Sequence, residues 1–227
     1  MRTPTLLRLH IVGAKNMLKR LILLTLLPVV IAGCAVNQDD TFQFALLGDN
    51  PYSPATYPIY ERLIEHVNRD ADIEWVLHVG DVKGGNASCS DTELLRYFDL
   101  NQRFEKPFIV TPGDNDWLDC KRRDAGGYDE YERLETFRRI FYPLRGQTFG
   151  NEPMQILQQS TAHLEFSEFV ENAMWRKQEV VFATVHVVAL TEPATDPRRW
   201  KKRVAAATAW IRRAFEEART TDAKAVF

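Results

Sequence analysis

An aspartate-bearing loop occurs three times in this chain, each time directly after an apolar run. The run at 42–47 leads into Gly48-Asp49-Asn50, the run at 75–79 into Gly80-Asp81, and the run at 107–111 into Pro112-Gly113-Asp114-Asn115-Asp116. Short apolar runs met at once by glycine are expected to be buried strands ending in tight turns. Helix-like stretches separate them, which predicts a strand–helix–strand order and a largely parallel sheet. Ligands of such sheets bind at the carboxyl ends of the strands, so the three loops are expected to converge on one edge. Converging carboxylates repel one another unless a cation lies among them. A metal site built on Asp49, Asp81 and Asp114 is the leading reading; Gly-Asp turns that merely cap the following helices are the alternative.

The 227 residues suffice for one large domain. A formal net charge of −2 lacks the basic field that general nucleic-acid binding needs, and no nucleic-acid surface is evident. Residues 1–33 differ in character from the rest: the stretch 21–32 is almost wholly apolar and follows Lys19 and Arg20. About a dozen residues is short for a bilayer span but suits the hydrophobic region of a signal peptide. The stretch ends in Ile31-Ala32-Gly33-Cys34, which resembles the bacterial lipoprotein processing box. Cys34 is then expected to carry the lipid that anchors the chain to a membrane, with 34–41 as a tether and 42–227 as the folded domain. A plain secretory signal cut near the same place is the alternative. Either way, export to the bacterial cell envelope or periplasm is expected. Met17-Leu18-Lys19-Arg20 is the more ordinary start for such a signal, which makes Met17 a candidate initiator.

Export changes the reading of the cysteines. With Cys34 lipidated, Cys89 and Cys120 remain as an even pair in an oxidising compartment. One follows the Asp81 loop and the other the Asp114 loop, so convergence of the loops would let the thiols meet. A disulfide is expected, closing about 30 residues and stabilising by about 3 kcal/mol.

Helical spacing predicts helices over 55–69, 91–104, 129–141 and 197–218, with Ser90 or Asp91 capping the second. The β-branched run 180–190 predicts one long strand, and 146–159 an irregular loop. Residues 223–227 look like the opening of another buried strand, so the domain is expected to continue beyond Phe227.

The three loops resemble the motifs of the calcineurin-like metallophosphoesterase superfamily, which carries Asp-x-His, then Gly-Asp, then Gly-Asn-His-Asp/Glu, each after a strand. Asp49 matches the first aspartate, Gly80-Asp81 the second motif, and Gly113-Asp114-Asn115-Asp116 stands where the third belongs. The resemblance implies an α/β fold, a four-layer α/β/β/α sandwich incomplete at its C-terminus in this chain. It also implies a binuclear centre of divalent metals (Mn, Fe, Zn or Mg) acting on a phosphoester substrate. By position Asp49 would bind one metal, Asp81 would bridge both, and Asp114 would take the place of the family's asparagine. Asp81 and Asn115 would be catalytic. Two departures stand out: Pro51 replaces a metal-binding histidine, and Asn115 replaces the general-acid histidine. The enzyme reading therefore has a rival, an inactive relative that binds a ligand or partner at the envelope.

Other residues have two readings each. Asn115 could orient a phosphate or hold its turn, and Asp116 is expected to brace the loop. Lys121, Arg122 and Arg123 could draw in a phosphate-bearing substrate or form a solvated basic turn. Arg198, Arg199, Lys201, Lys202 and Arg203 around Trp200 read as a solvated helix start, with anionic lipid as the outside alternative. His78 and His186, inside apolar strands, read as hydrogen-bonded core residues. Gly84-Gly85-Asn86 lacks the length and lysine of a phosphate-binding P-loop.

Overall fold

A computed structural model describes residues 41–188 and 196–227; the expected leader, anchor cysteine and tether up to residue 40 lie outside them. Strands β1 (Gln43–Leu47), β2 (Ile73–His78) and β3 (Phe108–Val110) form a parallel sheet in that order. Helix α1 (Tyr57–Arg69) follows β1 and α2 (Asp91–Asn101) follows β2, as the strand–helix alternation requires. Leu47 lies beside His78 and His78 beside Val110, so all three Gly-Asp loops leave from one edge. Strand β1 is less buried than expected, with Leu46 exposed, because it has a neighbour on only one side among the described strands.

Helix α3 (Glu130–Phe141) precedes the second sheet, the single turn α4 (Gln159–Ala162) follows its first strand, and α5 (Pro197–Thr220) precedes its last. Ser90 caps α2 by accepting from the Glu93 N–H, and Asp129 caps α3 through the Glu132 N–H. The second sheet has the order β4 (Leu157–Gln158), β5 (Ala173–Lys177), β6 (Val180–Ala183), β7 (Ala225–Val226). Its first two pairings are antiparallel and β7 runs parallel to β6. The long strand expected over 180–190 is cut to β6. Beyond Ala183 the Thr184 N–H still reaches the Ala173 carbonyl, but side chains then take over: the Thr184 hydroxyl accepts the Ala173 N–H and donates to the Glu171 carbonyl, and the His186 N–H goes to Asn172 Oδ1. Residues 189 and 190 lie outside the described ones. Strand β5 shows no alternation in sequence because its first three residues are all buried.

The strands of the first sheet alternate between two cores. Val76, Phe108 and Val110 pack with Tyr60, Ile64, Leu94, Tyr97 and Phe137 from α1, α2 and α3. Trp75, Leu77 and Ile109 face the other way, onto Trp175 and Phe182 of the second sheet. Trp75 stacks on Phe44 at 5.3 Å and meets Phe182 edge-on at 5.2 Å, geometries that aromatic quadrupoles favour. The second sheet's remaining face, with Met174 and Val181, is covered by Trp210, Ala214 and Ala218 of α5. On α5, Ala207, Trp210 and Ala214 are buried while Ile211 is 42 % exposed. Among the described residues no helix is long and apolar enough to cross a membrane.

Cys89 and Cys120 are joined as expected, across 31 positions of chain. Both are fully buried with Ala125 in a small cluster beneath the second and third loops. Closing a loop of that length lowers the entropy of the unfolded chain by the equivalent of about 3–4 kcal/mol.

Candidate functional site at the aspartate edge

The repeated glycines have a steric cause. Loops two and three lie so close that a Cβ on Gly80 would sit 2.3 Å from the Gly113 nitrogen, and one on Gly113 would sit 1.9 Å from Asp81 Oδ1. Only glycine permits that approach. The following aspartates, Asp49 and Asp81, both have φ 57, the left-handed region in which Asp is better tolerated than most residues. Non-glycine residues held there cluster at functional sites.

Two buried groups tie the loops together from behind. Asp116 accepts the N–H groups of Asp81 and Gly113 on Oδ2 (2.9 and 2.8 Å) and that of Val82 on Oδ1 (2.9 Å). This is the bracing role expected of it, extended across both loops. Burial pushes Asp116 up to about 7 against the pull of those N–H groups and of Lys83. His78 joins loops one and two: Nε2–H donates to the Asn50 carbonyl (3.0 Å) and Nδ1 accepts the Gly80 N–H (3.2 Å). It is the core histidine expected, fully buried and lowered to about 4 by that burial.

On the open side, Asp49 and Asp81 meet at one hydroxyl. Tyr52 Oη donates to Asp49 Oδ1 at 2.5 Å and stands 3.3 Å from Asp81 Oδ2. Burial, followed by the Asp49 bond, raises the phenol well above its ordinary value, so it keeps its proton. Asp81 is pushed up to about 6, first by burial and then by the charges of Asp114 and Asp49, while the Asn115 N–H on its Oδ1 works the other way. Asp114 is exposed at the rim. Gly85 marks a second convergence: a Cβ there would lie 2.7 Å from Asn115 Oδ1, 2.8 Å from Arg122 Nη1 and 2.9 Å from Asp119 Oδ2. Arg122 is thus beside Asn115, paired with Asp119 at 2.7 Å, whereas Lys121 is drawn to Glu130 at 3.1 Å.

Sequence reasoning missed three members of this cluster. Tyr52 lies three positions past Asp49, and a lone tyrosine in a loop carries no signal. Asp119 resembles any surface acid. Lys83 is fully buried, its Nζ on the carbonyls of Gly84 and Ala87, within the field of Asp116, Asp119 and Asp81. A lysine beside two glycines gives no warning of such burial.

Among the described residues no three His, Cys, Asp or Glu side chains stand at metal-ligand spacing. The donors gathered here are all oxygens, and the charges of Asp49 and Asp114 both bear on Asp81. That donor chemistry fits a hard divalent ion. It contains no histidine, since His78 faces backbone and His186 is engaged elsewhere.

His186 belongs to a separate buried network. Its Nδ1–H donates to Glu171 Oε1 (2.9 Å) and its Nε2 faces Arg203 Nη2 (3.3 Å), while Arg138 pairs with the same glutamate. Burial opposes the Glu171 charge, but Arg138 and the His186 bond hold it down to about 2. Burial likewise outweighs Glu171 at His186 and lowers it to about 4.

A family model described as calcineurin-like phosphoesterase matches residues 42–206, which takes in all three aspartate loops and both sheets as far as the start of α5. Neither a curated protein nor a solved structure matches the chain.

Two outcomes are expected from these contacts. Asp116→Asn turns an amide N–H toward backbone donors that need an acceptor, and should lower unfolding stability by about 2–3 kcal/mol. Urea denaturation at neutral pH measures it, and an unchanged midpoint would exclude the clamp. His186 stays neutral in the folded chain down to pH about 4, whereas the unfolded chain protonates it from pH about 6.5 downward. Its contribution is therefore complete above pH 6.5 and is lost as pH falls toward 4. Between pH 7 and 5 the wild type should lose about 2 kcal/mol more than His186→Gln; parallel losses would contradict it.

Proposed function

The chain belongs to the calcineurin-like phosphoesterase family, and on that premise we propose that it is a metal-dependent phosphoester hydrolase of the bacterial cell envelope. The observation that carries the proposal is the meeting of Asp49 and Asp81 at the Tyr52 hydroxyl, on the edge that Asp114 also rims. Family members generally use divalent metals, and here Asp49 and Asp81 would hold one ion while Asp81 and Asp114 would hold another. When bound, such ions supply positive charge to phosphoester oxygens and acidify a water. The contacts of the two sheets with each other and with helices on their outer faces support the four-layer α/β/β/α arrangement.

The chain's own residues have definable tasks in this reading. The Asn115 carboxamide and the Arg122 guanidinium converge beside Gly85 and would receive phosphoryl oxygens, Arg122 held in place by Asp119. Tyr52 keeps its proton between the two carboxylates and offsets their repulsion. Asn115 cannot protonate a leaving group, and loss of a general acid costs about 10²–10⁴-fold in rate. Esters whose alcohols leave readily without a proton would then be strongly preferred.

In assays with Mn²⁺, Zn²⁺, Fe²⁺ or Mg²⁺, the complete protein should cleave p-nitrophenyl phosphate or its bis-ester far faster than alkyl phosphates. Asp81→Ala should remove both metal binding and turnover. Metal binding without turnover of any ester would sink the hydrolase and favour the second reading, an inactive ligand-binding envelope protein, for which Pro51 and Asn115 speak. Export is proposed from the leader, with Cys34 as the lipid-bearing residue. Labelled palmitate should enter the protein in a bacterial host and be lost in Cys34→Ala; a soluble, unlabelled wild-type product would point to the plain secretory signal.

A further inference from the structure

Lysine is almost never fully buried unless a carboxylate pairs with it. Lys83 is fully buried, yet among the described residues its Nζ has backbone carbonyls, not a carboxylate, as its partners. It donates to Gly84 (3.3 Å) and Ala87 (3.1 Å), the two ends of a turn that the Ala87 N–H closes on the Gly84 carbonyl at 2.9 Å. A neutral donor would serve two carbonyls without the cost of burying a charge. The charge is answered by what surrounds the turn, the field of Asp116, Asp119, Asp81 and Glu93.

The turn is wedged between the other two loops. A Cβ on Gly84 would lie 3.1 Å from the Tyr52 carbonyl oxygen and 3.6 Å from Tyr52 Cβ, so this glycine backs onto loop one. Gly85 faces loop three, where Asn115 Oδ1, Arg122 Nη1 and Asp119 Oδ2 all come within 2.9 Å of the point its Cβ would occupy. A side chain at 85 would push these three groups aside, so they pack onto bare backbone. The position of that backbone therefore sets where the carboxamide and the guanidinium point. Lys83 clasps it from inside, and its charge holds the acids of loop three near Asp81 against their mutual repulsion.

We propose that Lys83 is a positioning residue for the phosphoryl-receiving pair, fixing the Gly84–Ala87 turn against which Asn115 and Arg122 are set. The role rests on the hydrolase reading above. It assigns part of the substrate affinity to a side chain that does not touch the phosphoester.

Steady-state kinetics of the complete protein test this, on whichever p-nitrophenyl ester it cleaves and with the activating metal ion, whose affinity is measured separately by calorimetry. Lys83→Met should raise KM about tenfold while kcat stays within about threefold, because the pair is held alike for ground and transition states. Metal affinity should hold or rise, since the charge removed repels a cation. Gly85→Ala, whose Cβ displaces the same three groups, should raise KM similarly, and the double variant should be no worse than the poorer single one. An inert wild type would fail the hydrolase reading and this role with it. With an active wild type, an unchanged KM, a matching loss of metal affinity or additive effects in the double variant would overturn the role alone. If Lys83→Met lacks a cooperative thermal transition, NMR of the wild type decides. The ¹⁵N resonance of the buried ammonium should shift when inorganic phosphate joins the Mg²⁺-loaded protein; a resonance indifferent to phosphate would overturn the proposal.

Discussion

The carboxylate of Asp116 is the contact on which the aspartate edge depends. It gathers three backbone N–H groups from two loops that are more than thirty residues apart in sequence, and so fixes Asp81 and Gly113 against each other. Those N–H groups cannot enter the parallel ladder, because the strands have ended. Without an acceptor they would be buried donors, each costing about 1–3 kcal/mol. Glycine at 80 and 113 is the geometric consequence: loops drawn this close leave no room for a Cβ.

Clustering acids this tightly concentrates negative charge, and the fold answers it with internal cations and a retained proton. Lys83 sits fully buried in the field of Asp116, Asp119 and Asp81. Arg122 pairs with Asp119, and the Tyr52 proton sits between Asp49 and Asp81. On the far side of Trp117 the balance reverses, with Arg203 and Arg138 arranged around the single buried carboxylate Glu171. One indole therefore separates the acidic edge from a buried arginine–glutamate network, and its neighbour Asp116 holds the edge together.

Much of the first sheet was legible because its signals are local. An apolar run followed by Gly-Asp names the strand and the turn together, and helical spacing between runs implies parallel pairing. The disulfide followed from the same convergence. The second sheet was obscure for the opposite reason. Strand β5 is buried along its first half and shows no alternation, and the run beyond Ala183 is β-branched yet leaves the ladder because Thr184, Asn172 and Glu171 supply closer partners. The basic run at the start of α5 looked solvated, since a charge pattern does not reveal which arginine turns inward.

By itself the sequence determined the strand–helix order of the first sheet, the family of motifs and the three aspartates, because strand, turn and spacing are properties of neighbours along the chain. Tertiary structure alone decided which side chains meet. Tyr52 joins Asp49 to Asp81, Lys83 is buried beneath them, and Arg203 is sealed under Trp117 with donors unmet. These are contacts across loops and layers, where burial sets the cost of every charge, and burial is a property of the packed whole.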